Sequence, residues 1–231
     1  MSWQSTLDYY RLINEIVAAR LGGMHSAKIV LHSVDFDEIE RCQSAGDWAL
    51  AGDILGRAAR GLQLADAHFL LICTNTMHMV ADRIQTHTSL PILHIGDVTA
   101  QAIRTAGLTK VALLGTRYTL TQPFLKARLA DAHITPLIPA QPDIETVNRI
   151  IFDELCHGEI RNDSRTQILS IIDSLIEQGA EGVVLGCTEL PLLIKANHCS
   201  VPIFDTTTIH ASAAAELSMS DTLAPPNPVT K

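Results

Sequence analysis

Val183-Val184-Leu185-Gly186-Cys187-Thr188-Glu189-Leu190 is the stretch that decides the fold, and Leu71-Ile72-Cys73-Thr74-Asn75-Thr76-Met77-His78 repeats its plan. Each opens on or continues an apolar run, the pattern of a strand buried on both faces. Each then passes through Cys-Thr into a segment that reads as the first turn of a helix. Both thiols therefore fall at the carboxyl ends of strands, where open α/β sheets bind their ligands. They also fall beside helix starts, whose amides favour an anion, so each cysteine is expected to hold its proton more loosely than a free thiol. Two such sites of similar chemistry predict two similar half-domains facing one cleft.

Outward from these stretches, strands and helices alternate. Strands are expected at Lys28–Val34, His68–Ile72, Pro91–Ile95, Lys110–Leu114, Ile134–Ile138, Gly182–Gly186 and Val201–Phe204. Helical spacing of apolar residues marks Ser5–Leu21, Trp48–Leu64, Met77–Thr86, Asp97–Ala106, Thr121–Ala130, Asp143–Cys156, Ser164–Gln178 and Thr206–Met219, with Asp97 as an N-cap. Asp35–Gln43 reads as a loop or short helix, and Pro191–Ala196 as a short helix. The alternation predicts an α/β fold, a parallel sheet flanked by helices in each of two pseudo-symmetric lobes with the active site between them. The lobes are expected to comprise residues 1–96 plus 206–220, and 97–205. Residues 221–231, with three prolines, read as a loose tail.

Composition narrows the function. The chain has 231 residues, enough for a substantial core, with 47% hydrophobic and 18% charged residues. A net charge of −8 and the lack of a Lys/Arg cluster argue against nucleic acid and acidic membrane partners. No apolar run approaches the roughly 20 residues that span a bilayer. No secretory signal is visible, so the five cysteines are expected to be reduced thiols in the cytoplasm.

Cys42, Cys156 and Cys199 read as inert core. Cys73 and Cys187 do not, because both follow buried strands and precede polar groups. Asn75, Thr76 and Thr188 supply donors for a carboxylate, while Glu189 is placed to meet an ammonium group or to tune the neighbouring thiol. Gly115-Thr116-Arg117-Tyr118-Thr119, at another strand end, suits an anionic group. Two thiols on opposite walls can invert a stereocentre, one removing a proton from carbon as thiolate and the other delivering one to the far face. Cys73, His78 and Cys187 lack the close paired spacing that marks zinc, and no dinucleotide-binding glycine pattern is present. His32, His94 and His210 read as core or rim residues, and His78 as structural or as a residue orienting Cys73.

Cys73-Thr-Asn-Thr-Met-His78 and Gly186-Cys-Thr-Glu189 closely resemble the aspartate/glutamate racemase family. Met1-Ser2-Trp3, Leu31-His-Ser-Val-Asp-Phe36 and Leu114-Gly-Thr-Arg-Tyr-Thr119 fit it too, so the likeness runs along nearly the whole chain. It is nearest to the bacterial broad-specificity amino-acid racemases. The resemblance implies a racemase that needs no cofactor and no metal, works by two bases, takes an amino-acid substrate and forms a homodimer. It assigns Cys73 and Cys187 as the acid/base pair. Thr74, Asn75, Thr76, Thr188 and Glu189 would hold substrate, Ser2 and Trp3 would line the pocket, and Gln43 and Thr116 would join them. Family members begin with a short strand and glycine-rich turn before the residues matching Met1-Ser2-Trp3, which leads us to expect a natural start further upstream. Related reactions on this scaffold, hydantoin racemisation or maleate isomerisation, and plain small-molecule binding are the rival expectations. Arg11, Arg41 and Arg117 are the candidate grips for a second substrate carboxylate, and Cys156-His157 supplies no obvious clamp, which favours a broad range.

Overall fold

The computed structural model describes residues 2–220. The expected tail at 221–231 lies outside the described residues. The chain divides into two compact units, one of residues 2–73, 80–93 and 210–220, the other of 74–79 and 94–209. The stretches 74–79, 94–96 and 206–209, expected in the first lobe, thus group with the second unit.

The second unit is built on a four-stranded parallel sheet in the order β2-β1-β3-β4. The strands are β1 (Lys110–Gly115), β2 (Thr135–Leu137), β3 (Val183–Gly186) and β4 (Ile203–Asp205). The central strands β1 and β3 are apolar on both faces because helices cover both. Ala112, Leu114, Val183, Leu185 and Cys187 alternate onto one face and pack on Val147, Ile168, Ile172, Leu190 and Leu193. Val111, Leu113, Val184 and Phe204 take the other face, against Ile103, Leu120, Leu125 and Leu129. Each such buried aliphatic side chain is worth about 1.5–3 kcal/mol. The covering helices include α5 (Ile95–Thr105), α6 (Arg117–Thr121), α7 (Pro123–Asp131), α8 (Gln141–Arg149), α9 (Asn162–Glu177) and α10 (Leu190–Leu193).

Three expected helices differ in detail. The N-cap of α5 is His94, whose Nδ1 accepts from Gly96 N, while Asp97 lies in the first turn and pairs with Arg128. The Asp143–Cys156 helix is α8 followed by a π-turn at Ile150–Glu154 and a 3-10 turn at Leu155–His157. Buried Glu154, the last residue of this π-turn, accepts from Arg149 and Ser164. Met77–Thr86 is a 3-10 turn (Thr76–Val80) leading into α4 (Ala81–Gln85).

The first unit contains α1 (Trp3–Leu21), α2 (Phe36–Ala45), α3 (Trp48–Leu64) and α4. Asp35 and Asp47 cap α2 and α3 through their carboxylates. The last helix, α11 (Thr206–Ser218), begins in the second unit and contributes residues from His210 onward to the first. Here the expected sheet is reduced to one parallel bridge, Leu70–Ile92, closed by Leu70 N to Pro91 O at 2.9 Å and Leu93 N to Leu70 O at 3.0 Å. The expected strand at Lys28–Val34 does not form: among the described residues no strand pairs with it. Ile29, Val30 and Leu31 instead line an apolar cavity of about 940 Å³ with Val17, Leu55, Leu70 and Ile72. Buried His210 ties this unit together, donating from Nε2 to Leu93 O at 2.7 Å and accepting from Tyr9 OH at 2.8 Å.

Candidate active site

Strand order places a candidate site within the second unit. The chain leaves β1 towards β2 on one side and returns through β3 to β4 on the other, so the topology switches between β1 and β3. The crevice beyond their carboxyl ends is where such sheets bind ligands. Thr116 follows β1 and Cys187 follows β3, and the preceding glycines are paired, Gly115 with Gly186. Neither position has room for a side chain: a Cβ on Gly115 would lie 2.9 Å from Gly186 O, and one on Gly186 would lie 3.0 Å from Leu114 O. The hydroxyl of Thr119 donates to Gly186 O and lies against that of Thr116, each at 3.4 Å.

Cys187 is buried, and its thiol donates to Glu189 Oε2 at 2.8 Å. Burial pushes this thiol well above its ordinary value of 9.0, and the negative charge of Glu189 adds to the effect. Cys73 is half-buried and its thiol is pushed up to about 11 by burial. Both findings overturn the expectation of loosely held protons. The reason is burial, which disfavours the charged form of both sulfurs. Cys156, expected as core, is exposed, and its thiol is pushed up to about 11 by partial burial and by the Glu189 charge. Cys42 is buried and Cys199 packs on the core.

Asn75 and Thr76 are buried in the second unit, as are Thr116 and Cys187, while Thr188 and Glu189 of the same unit are half-buried. The Asn75 amide reaches Thr206 Oγ1 at 3.1 Å, and Thr206 Oγ1 donates to Leu185 O at 2.8 Å, which ties the 74–79 stretch to the strand that carries Cys187. Thr74 offers its carbonyl to His78 Nδ1 at 2.8 Å, while His78 Nε2 accepts from Ile95 N at 3.2 Å. Since Nε2 accepts, the ring proton is on Nδ1, and His78 is a structural brace beneath the turn.

Ser2, Trp3, Gln43 and Cys73 belong to the first unit. Ser2 caps α1 through Ser5 N, and Ser5 Oγ donates to Cys73 O at 2.9 Å. Trp3 is largely exposed on α1, and Gln43 is buried on α2. The three candidate arginines are exposed and engaged elsewhere: Arg11 with Asp8 and Glu15, Arg41 with Asp37, Arg117 with Glu145. Ser5 and Thr206 escaped the sequence reading, whereas Thr119 was part of the anion-suited stretch after β1. The run Asp205-Thr-Thr-Thr208 after a strand was the available sign for Thr206, because it repeats the hydroxyl-rich pattern seen after β1. Among the described residues no helix is long and apolar enough to cross a membrane, and no group of three or more His, Cys, Asp or Glu could hold a metal ion.

The parallel sheet with a cysteine at its switch point defines an α/β protein of the architecture that binds ligands at its strand ends. The family model for Asp/Glu/hydantoin racemase matches residues 1–214, and the chain belongs to that family. It is 52% identical to a candidate Asp/Glu racemase from Yersinia pestis, covering 95% of this chain and 96% of that one at a TM-score of 0.91. An aspartate racemase homologue from Pyrococcus horikoshii is 35% identical over 95% of this chain and 96% of its own, at a TM-score of 0.84. Picrophilus torridus aspartate racemase shares the fold at 18% identity, covering 93% of this chain and 89% of that one at a TM-score of 0.72. Family and relatives together support a racemase.

Proposed function

We propose that the protein is a cofactor-independent amino-acid racemase in which Cys73 and Cys187 exchange the α-proton. The observation that carries the reading is the Cys187–Glu189 contact at 2.8 Å, which keeps a thiol protonated at the end of β3, the state a general acid needs. In one direction the thiolate of one cysteine takes the α-proton, and the C–H electron pair delocalises onto the substrate carboxylate. The thiol of the other cysteine then protonates the opposite face of that carbon and is left as thiolate, so the two sulfurs have exchanged roles. The reverse turnover restores them. The substrate's ammonium group supplies the positive charge that offsets the raised values of both thiols, so that a thiolate forms with substrate in place.

Thr74, Asn75, Thr76, Thr116, Thr188 and Glu189 hold the substrate in this reading, with Ser2, Trp3 and Gln43 lining the pocket. The engagement of Arg11, Arg41 and Arg117 in other ion pairs supports a broad substrate range over one restricted to aspartate and glutamate. The working form is a cytoplasmic homodimer.

The test is loss of the α-proton signal in D₂O, followed by NMR with single-enantiomer amino acids, with hydantoins and maleate in the same panel. Exchange with inversion on amino acids is expected, and Cys73→Ser and Cys187→Ser are each expected to abolish inversion. Full activity in either variant refutes the two-cysteine mechanism. Turnover of hydantoins or maleate alone, or a covalent adduct in the mass spectrum, moves the assignment to those reactions.

A further inference from the structure

The hydrogen-bond chain from Asn75 through Thr206 to Leu185 fixes the sense in which the Asn75 amide is set. Thr206 is fully buried, and its hydroxyl donates its single hydrogen to Leu185 O at 2.8 Å. With that hydrogen committed, Thr206 Oγ1 presents only lone pairs to the Asn75 amide 3.1 Å away. The Asn75 atom facing it is therefore the NH₂ group, and the amide is set in one sense. Its carbonyl oxygen, Oδ1, is left buried and has no hydrogen-bond partner among the described residues. So is the hydroxyl of Thr207, the next residue along α11. A buried acceptor with nothing to accept calls for a partner that the protein does not supply.

The surroundings say which kind of partner. The Asp205 carboxylate caps the same helix start, accepting from Thr207 N at 3.0 Å and from the Thr208 hydroxyl at 2.7 Å. Both Asp205 oxygens are thus occupied, and Asn75 Oδ1, which can only accept, needs a donor such as an N–H group and not a carboxylate. By sequence, Asn75 is two residues from Cys73, and Leu185 is two residues before Cys187. One N–H of the Asn75 amide is spent on Thr206, and beside its remaining N–H the residue presents a buried carbonyl oxygen, a role that the sequence reading did not assign to it.

We propose that Thr206 is a positioning residue that locks Asn75 with its carbonyl oxygen presented to the α-ammonium group of the substrate. The inference rests on the racemase reading for the identity of the ligand, but its geometry is independent of catalysis. Without the Thr206 hydroxyl, the amide is free to turn, and the site loses its means of telling an amino acid from the same acid without its amine.

Thr206→Val removes the hydroxyl at nearly constant shape, and Thr206→Ser keeps it. Calorimetric binding of an amino-acid substrate is compared with binding of its deaminated analogue, in which hydrogen replaces the ammonium group. α-Proton exchange is followed in parallel. The parent protein is expected to prefer the amino acid. Thr206→Val is expected to lose roughly 10- to 100-fold of that preference, the scale of one hydrogen bond to a charged group, with KM rising more than kcat falls. Thr206→Ser retains the preference. If Thr206→Val does not fold, Asn75→Leu is required to show the same loss. The proposal is overturned if the parent binds both ligands equally, or if the variant weakens both equally. Either result leaves the racemase assignment standing while exchange continues, whereas absence of exchange in the parent overturns that assignment and leaves the binding comparison to decide the role of Thr206.

Discussion

The glycine before Cys187 offers the sharpest test of how the sheet presents that thiol. At Gly186 an added Cβ would meet Leu114 O at 3.0 Å, Thr119 Cγ2 at 3.0 Å and Leu113 Cδ1 at 3.4 Å. The first of these is a backbone carbonyl of the neighbouring strand, one residue from the Gly115–Gly186 pair. It can retreat only by opening the β1–β3 ladder. Overpacking of this kind costs typically 1–3 kcal/mol, which in a chain of this size corresponds to roughly 2–12 °C in the unfolding midpoint. Gly186→Ala is therefore expected to melt lower than the parent by that amount in a calorimetric scan. It is also expected to lose activity beyond what unfolding explains, about 10- to 100-fold, because the strand end that carries Cys187 must shift and reacting groups tolerate little displacement. Gly61→Ala is the control. Its Cβ would meet nothing closer than His32 Nδ1 at 3.8 Å, and it lies within α3, where alanine is favoured over glycine by roughly 0.5–1 kcal/mol. Equal melting of Gly186→Ala and Gly61→Ala would refute the argument from close strand approach.

Other consequences follow from the same contacts. Glu189→Gln removes the charge that opposes ionisation of Cys187, so site-resolved alkylation of that thiol should proceed at lower pH than in the parent; an unmoved pH profile excludes the carboxylate as its regulator. Glu154→Gln should cost about 1–3 kcal/mol at neutral pH, because it weakens charge-assisted bonds from Ser164 and Arg149 to a buried carboxylate. Those two donors hold the Glu154 carboxyl below its ordinary value of 4.5 in the folded state, so its contribution is complete above 4.5 and fades as pH falls through the depressed folded value. Denaturant titrations of parent and variant should therefore converge in acid, and a gap that stays constant with pH rejects the ion pair as its source. Ser5→Ala, which strips the hydroxyl from the Cys73 carbonyl, should destabilise by about 1 kcal/mol in the same titration. The apolar cavity of about 940 Å³ in the first unit should bind a fluorescent hydrophobic dye under native conditions, and a flat emission signal would contradict it.

What the sequence revealed and what it hid divide along a physical line. β1 and β3 were legible because their buried faces are written locally, as four- to six-residue apolar runs ending in glycine. The strand at Lys28–Val34 has an equally apolar run, yet a strand exists only in partnership, and no local pattern records whether a partner is there. The thiols follow the same rule. Their positions could be read from Cys-Thr after apolar runs, but their acidity depends on how deeply each sulfur is buried and on the Glu189 carboxylate beside Cys187. Asn75 is the extreme case. Its presence two residues beyond Cys73 is plain in the sequence, whereas the sense in which its amide is set is decided by a hydroxyl 131 positions away that has already given its hydrogen to Leu185. A residue type can thus be assigned to a site from sequence, but the polarity it presents there is a property of the hydrogen-bond chain behind it.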